Sequence, residues 1–466
     1  MNSGTANIHC NIPEHLIAKY NVAVPRYTSY PPANRFNTEF GEADYLHAVR
    51  TSNERGLQNI SFYIHVPFCR QLCLYCGCNT QISTDDMYIN SYIGTLKAEI
   101  NMIVPLLHRS RRISQIHWGG GTPNTLKPEI IGEIMHLLTR NFRLTDDAEI
   151  SIECHPAYLN AEYISALAGF GFNRISLGIQ DFDVSVLSAV RRQKPAIEIE
   201  LLCDIIRRNH ISLNFDLMYG LPYQTAASFA AAIDRALAIA PDRLVTFSYA
   251  HIPWLKPAQK ALETVGLPSA DAKMTMFEQA WTRMLAAGYV SIGLDHYAAP
   301  SDPLATALKT GTLHRNFQGY CTRQTTGQVY AFGATGISQL DDVYAQNCHS
   351  IADYSAAIAH GKLPVEKGYR LNLADRVARE AINEIMCNRR LAWPHLAAKF
   401  DMTTAQITDI LQYTPKKLRG FFDDGLLSFS DDGFEILDTG RFFLRNIAAV
   451  FDINLHPAEQ SGSKAV

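Results

Sequence analysis

Short runs of alternating apolar and polar positions recur along this chain, separated by longer stretches with a helical rhythm. The runs are SFYIHV (61–66), ISQIHW (113–118), AEISIE (148–153), NRISLGIQ (173–180), SLNFDLMY (212–219), RLVTFSYA (243–250) and YVSIGLDH (289–296). Their short β-branched and apolar stretches predict strands. Stretches such as IIGEIMHLLTRNF and MTMFEQAWTRMLAAG between them carry apolar residues at helical spacing. Strand and helix in alternation describe parallel βα units. Six or seven such units suit an α/β fold, a full or partial (β/α) TIM-like barrel, with a doubly wound open sheet as the alternative.

The flanks read differently. Residues 1–50 are loop-rich, with VPRYTSYPPA at 24–33. Residues 300–360 look irregular and contain the glycine-rich YAFGATGISQL. Beyond residue 370 the chain turns helical, through LADRVAREAINEIMCN, WPHLAAKF and TTAQITDILQ. A short hairpin, LLSFS–DDG–FEIL, then makes this end resemble a winged-helix module. Its helices carry few clustered basic residues, so a packing or lid role fits it better than DNA reading. The expected organisation is an N-terminal extension over 1–50, a barrel over 51–365 and a mainly helical C-terminal domain over 366–466.

Composition narrows the setting. The 466 residues are 47% hydrophobic and 19% charged, with a formal charge of −3. That balance is globular and argues against a dedicated nucleic-acid binder. No apolar run reaches the roughly 18 residues of a membrane span, and MNSGTANIHCNIPEH has no basic segment leading into an apolar one. A cytoplasmic location follows, where the ten cysteines stay reduced.

Four of those cysteines crowd into HVPFCRQLCLYCGCNT (65–80), as Cys69, Cys73, Cys76 and Cys78. The first three have the spacing C-x3-C-x2-C. A structural zinc site wants a second pair of ligands, and no second CxxC exists. Disulfides are disfavoured by compartment. A [4Fe–4S] cluster held by three thiolates leaves its fourth iron open, which makes the loop a cofactor seat. The loop follows the first strand, at the end where barrel sites form. The other strands also end in polar groups: Gly119-Gly120-Gly121-Thr122, Glu153, Gln180, Asp216, Tyr249 with His251, and Asp295-His296. So many at corresponding positions predict one shared pocket. Cys10, Cys154, Cys203, Cys321, Cys348 and Cys387 are scattered and read as structural thiols.

The C-x3-C-x2-C loop after the first strand and GGGTP (119–123) after the second resemble the radical S-adenosylmethionine (SAM) superfamily. CGC (76–78), VPRYTSYP upstream and LHRNFQGY (313–320) downstream narrow the resemblance to the oxygen-independent coproporphyrinogen III oxidase family, from about residue 20 to about residue 455. The resemblance implies a [4Fe–4S] cluster on Cys69, Cys73 and Cys76, with SAM on the open iron. It implies reductive cleavage of SAM to a 5′-deoxyadenosyl radical. Removal of a β-hydrogen from two substrate propionates and loss of CO2 then give vinyl groups and protoporphyrinogen IX. It places Tyr63, Gly120, Glu153 and Ile337 around the first SAM. Tyr75, Gly77, Gly121, Thr122, Gln180, Arg192, Asp216 and Ala250 match the positions around a second SAM; Tyr75 stands where many relatives carry Phe.

Cys78 is not a ligand on this reading, because four thiolates would close the open iron. It is a catalytic candidate, acting on substrate or positioning the second SAM. Arg26, His314 and Arg315 are the candidate cations for propionates, and the N-terminal extension is expected to touch substrate. Other implied partners are an electron donor of the flavodoxin or ferredoxin type and an electron acceptor. The expected state is a monomer bound to neither nucleic acid nor membrane. The nearest rival is a radical-SAM-like haem chaperone, a type that places an aromatic at the Cys78 position and lacks the VPRYTSYP segment. The rival of another class is a zinc-bound nucleic-acid protein using the winged-helix-like end.

Overall fold

The computed structural model describes residues 12–54, 59–322 and 328–455; Cys10 lies outside them. Six of the alternating runs form strands: β1 (Asn59–Val66), β2 (Arg112–Gly120), β3 (Arg143–Cys154), β4 (Arg174–Gln180), β5 (Ser212–Tyr219) and β6 (Arg243–Ser248). Neighbours in this series pair in parallel. Each crossover carries a helix, in order Asp86–Ile103, Pro128–Thr139, Ala161–Gly169, Ile199–Arg208 and Ala226–Ile239.

Alternation decides which face each strand buries. Ile116 and Trp118 of β2, Ile152 of β3, Ile175 and Leu177 of β4, and Leu213, Phe215 and Leu217 of β5 join the helices in one core. The residues between them, Gln115, His117, Glu149, Ser151, Glu153, Ser176, Asn214 and Asp216, line a cavity inside the curved sheet. Parallel strands covered on both faces read as continuous apolar runs. These strands alternate because one face lines a cavity and the other meets helices.

The seventh run does not form the seventh parallel strand. Gly293, at φ +57, turns residues 289–296 back on themselves. A Cβ there would fall 1.9 Å from the Tyr320 hydroxyl oxygen, so only glycine fits. The result is a hairpin, β7 (Val290–Ile292) and β8 (His296–Ala298), with β8 antiparallel to β6.

The expected irregular region 300–360 is also structured. It holds a helix over Pro303–Thr310, the hairpin β9 (Leu313–Asn316) and β10 (Gly319–Thr322), then β11 (Gln328–Phe332), β12 (Ile337–Gln339), β13 (Val343–Asn347) and a helix over Ile351–Ala359. β11 pairs in parallel with β1, and Ile64 faces Phe332. Its five residues are all buried, so it shows no alternation to read. β14 (Val365–Arg370) completes a twelve-stranded sheet in the order β14–β13–β12–β11–β1–β2–β3–β4–β5–β6–β8–β7. Among the described residues the two edges do not pair, so the barrel is partial.

The floor of the cavity is ionic. Glu149 accepts from Arg174 Nε at 3.0 Å and Arg243 Nη2 at 2.9 Å. Asp302 accepts from Arg243 Nε at 3.0 Å and Arg174 Nη2 at 3.2 Å. Burial would push the Glu149 carboxyl up, but the two guanidiniums hold it down at about 2.

The C-terminal end has its own core of Val377, Ile382, Leu391, Leu396, Ile407, Leu427, Phe434, Leu444, Ile447 and Phe451. Strands β15 (Arg390–Ala392), β16 (Leu427–Ser430) and β17 (Gly433–Ile436) form its small sheet, and the expected hairpin is β16–β17. The N-terminal segment is less loop-like than expected, with helices over Glu14–Tyr20 and Glu42–Ser52. Tyr27 and Tyr30, between them, bury their rings in the C-terminal core. Arg445 donates to the carbonyls of Val24 and Pro25, and Asn446 Nδ2 donates to that of Tyr20 at 2.8 Å.

Candidate active site

The cysteine loop leaves the C-terminal end of β1 and is fastened at several points. Phe68 and Cys69 pair with Gln81 and Ile82, which closes the loop on itself. Leu74 N–H donates to Val190 O at 2.9 Å, and Gln259 Nε2 to Tyr75 O at 3.1 Å. Cys69, Cys73 and Cys76 are half-buried; Cys78 is exposed. The thiols do not share one environment. Burial pushes Cys69 up to about 11, whereas a hydrogen bond from Cys78 draws Cys76 down to about 6. The Cys69 Sγ lies 3.2 Å from Thr122 Oγ1, which ties the loop to the glycine turn.

That turn is the second wall. Gly121 N–H donates to Val66 O at 2.8 Å and Thr122 N–H to Phe68 O at 2.9 Å. A Cβ at Gly121 would meet the Pro67 carbonyl oxygen at 2.7 Å. At Gly120, φ +117, it would strike the His65 ring. The glycines let the ends of β1 and β2 close together with backbone N–H groups at the site edge. Burial pushes the His65 imidazole down to about 4, so the ring is neutral; its Nδ1 is hydrogen-bonded to Tyr63 OH at 3.0 Å.

Glu153, at the end of β3, accepts from Gly120 N–H at 3.3 Å and is hydrogen-bonded to His117 Nε2 at 3.1 Å. Asp216 lies inside β5, three residues short of its end and not at the end as expected, and accepts from Asn214 Nδ2 at 3.0 Å. Burial, with the Glu153 charge added, raises its carboxyl to about 6. Gln180 sits at φ +68, buried, with no partner for its Oε1 among the described residues.

Arg192 lies three residues beyond the helix Val184–Ala189. Its Nη1 lies 3.6 Å from Cys73 Sγ and donates to Tyr75 OH at 2.9 Å; its Nη2 donates to Gly178 O. Arg192 thus joins β4 to the cysteine loop. Gly77 and Ala250 are exposed at the rim, and Ile337 is half-buried at the start of β12.

Ile337 is placed by a buried acid that the sequence did not single out. Glu99 accepts from Gly333 N–H at 2.8 Å, Asn347 Nδ2 at 2.6 Å and Tyr354 OH at 2.7 Å. Tyr92 OH donates to His65 O at 2.8 Å and accepts from Ala334 N–H at 3.1 Å. The 333–337 loop is therefore tied to the same helix, Asp86–Ile103, and to β1. Burial raises Glu99 to about 7.

The expected pocket partly divides. Glu153, Asp216 and His296 line the cavity of about 140 Å³. Tyr249 instead packs with Leu74 and Tyr75 beneath the cysteine loop, its OH 2.9 Å from His251 Nδ1. Asp295 is paired with His296 Nδ1 at 2.7 Å and lies 3.7 Å from Arg26 Nη2. Arg315 turns back, donating to Arg26 O at 3.2 Å over the Tyr320 ring. The β9–β10 hairpin sends Asn316, Gln318, Tyr320 and Cys321 to the cavity, whereas His314 is not on its lining. His117 and Gln115 were not singled out, although alternation in ISQIHW carries a signal for them; Glu99 had none.

Three thiolates without a fourth ligand suit a cluster with one open iron better than a structural zinc, which takes four. Tetrahedral zinc, at about 2.3 Å from each sulfur, brings its ligand atoms within about 4 Å of one another. Among the described residues, the His, Cys, Asp and Glu side chains with ligand atoms within 4.8 Å of one another are Glu380, Glu384 and His395, where Lys399 already pairs with Glu380 at 2.6 Å.

Residues 63–236 match the radical SAM superfamily. The chain is 41% identical to the oxygen-independent coproporphyrinogen III oxidase of Synechocystis sp. over 97% of both chains. It is 38% identical to that of Escherichia coli over 94% of this chain and 95% of the relative. The solved structure of the Escherichia coli coproporphyrinogen III oxidase HemN, a radical SAM enzyme, superposes with TM-score 0.88 at 36% identity, covering 96% of this chain and all of that one. Likeness along the whole length, N-terminal strap and C-terminal unit included, shows that the chain belongs to the oxygen-independent coproporphyrinogen III oxidase family of radical SAM enzymes.

Proposed function

We propose that this chain converts coproporphyrinogen III to protoporphyrinogen IX without oxygen. Each of two propionates loses one β-hydrogen atom, CO2 and one electron, and a vinyl group remains. The observation that carries the reading is the fastened C-x3-C-x2-C loop at the C-terminal end of β1, backed by the glycine turn and Glu153. Cys69, Cys73 and Cys76 would hold three irons of a [4Fe–4S] cluster and leave the fourth for the amino and carboxylate groups of SAM. Bound there, cluster and SAM supply a 5′-deoxyadenosyl radical able to take hydrogen from an unactivated carbon.

The chain's own groups do the positioning. Glu153 offers an anionic acceptor beside the Gly120 N–H, and Tyr63, Gly120 and Ile337 are assigned with it to the first SAM. Gly77, Gly121, Thr122, Gln180, Arg192, Asp216, Ala250 and the Tyr75 ring are assigned to a second SAM. Cys78, exposed and outside the three-thiolate set, faces substrate chemistry. Arg26 is half exposed beside Asp295 and is the best placed of the three expected propionate cations; Arg315 supports the strap that carries it. A flavodoxin- or ferredoxin-type donor, a separate electron acceptor, a monomeric state and a cytoplasmic location complete the proposal, with neither nucleic acid nor membrane as partner. No helix of the described residues is long and apolar enough to cross a membrane. Full-length likeness to oxidases disfavours the haem-chaperone reading. The test is an anaerobic assay with coproporphyrinogen III, SAM and a reductant: methionine and tetrapyrrole product should rise together, and haem transfer without product would refute the reading.

A further inference from the structure

A turn that none of the assigned roles uses stands over the cysteine loop. After β6 the chain runs through Tyr249 and then folds tightly: Leu255 and Lys256 N–H both donate to Ile252 O at 2.9 Å. Gln259 braces the base, its Oε1 accepting from Ile252 N–H at 2.7 Å. The turn is docked on the cluster loop twice, through Gln259 to Tyr75 O and through Lys256 Nζ to Cys78 O at 2.8 Å. At its tip, Trp254 is 73% and Leu255 68% exposed. An adjacent Trp–Leu pair held to solvent on an ordered turn is an apolar surface lacking a partner among the described residues.

We infer that Trp254 and Leu255 are a wall of the substrate site, packing on the pyrrole rings of coproporphyrinogen III while Cys78 and the SAM-binding rim face its propionates; this rests on the proposed function. Charge supports that occupant, because Lys256 and Lys260 follow the pair in the chain and suit an apolar ring system with carboxylate arms. Size does too. The cavity of about 140 Å³ is below the roughly 300–1,000 Å³ of an ordinary ligand pocket, so it takes an arm and leaves the macrocycle outside it. Two side chains offer an aromatic's 150–250 Å² and a little more, against about 800 Å² per partner in a stable protein interface.

The test compares the loaded, anaerobic parent enzyme with Trp254→Ala, Trp254→Phe and Leu255→Ser. Binding is read from the Soret band of coproporphyrin III, the stable oxidised form, alongside KM and kcat for coproporphyrinogen III. Trp254→Ala should weaken porphyrin binding and raise KM about tenfold or more, equivalent to about 1.4 kcal/mol. kcat, iron content and dithionite reduction of the cluster should stay near parent values. Trp254→Phe should recover most of the loss, and Leu255→Ser should move the same two quantities less. Unchanged porphyrin binding and KM in all three variants would overturn the inference. So would normal porphyrin binding with turnover lost only when a protein donor replaces dithionite, since the turn would then be a donor-docking surface. A parent enzyme with no turnover would instead indict the proposed function.

Discussion

At the scale of single residues, the three-thiolate assignment has the sharpest consequences. Serine at Cys69, Cys73 or Cys76 should abolish the brown colour and the roughly four irons and four sulfides that one cubane contains. Cys78→Ser should keep them, and iron and acid-labile sulfide analysis of anaerobically purified protein separates the two outcomes. Glu153→Ala should weaken SAM binding about tenfold while leaving iron content near parent values, because Glu153 bonds the glycine turn and not the cysteine loop. Equal loss of cluster and SAM would contradict its role. These residues were legible because chemistry forces an unusual composition: thiols at C-x3-C-x2-C, three glycines in succession, acids at strand ends. Glu99 was not, since a lone acid in a helix looks solvated until the fold encloses it.

At the scale of elements, the alternating strands were readable because an internal cavity demands polar side chains at every second position. β11 was unreadable because both its faces are buried, and β7–β8 because one glycine decides between a strand and a hairpin. Two elements invite tests. Gly121→Ala would press a methyl against the Pro67 carbonyl, so the ends of β1 and β2 must separate. We expect impaired cluster loading and a thermal midpoint several degrees lower, measured by iron analysis and circular dichroism. Arg243→Met would leave the buried carboxylates of Glu149 and Asp302 with Arg174 alone. Such a loss typically costs about 3–5 kcal/mol, to be read from urea unfolding midpoints.

Whole-molecule behaviour should follow pH through Glu99. Its folded carboxyl titrates at about 7, above the ordinary value of 4.5. Between those values the native state holds a proton that the unfolded chain has released, so stability falls as pH rises through the window, by about 3 kcal/mol for this group. Glu99→Gln should flatten that fall in denaturant melts at pH 5 and 7.5; an unchanged slope would assign the proton elsewhere. The overall architecture was legible as barrel plus helical end. The strap was not, because the burial of Tyr27 and Tyr30 depends on residues about four hundred positions later.

The pairing of β1 with β11 has a consequence for biogenesis. The strand that leads into the cysteine loop leaves the ribosome well before β11, so one whole side of its hydrogen-bond ladder waits for residues 328–332. A polypeptide released before that point displays a bare, apolar β-edge beside reactive thiols, a template for aggregation. Truncated products should therefore be insoluble, and metallation should trail completion of synthesis.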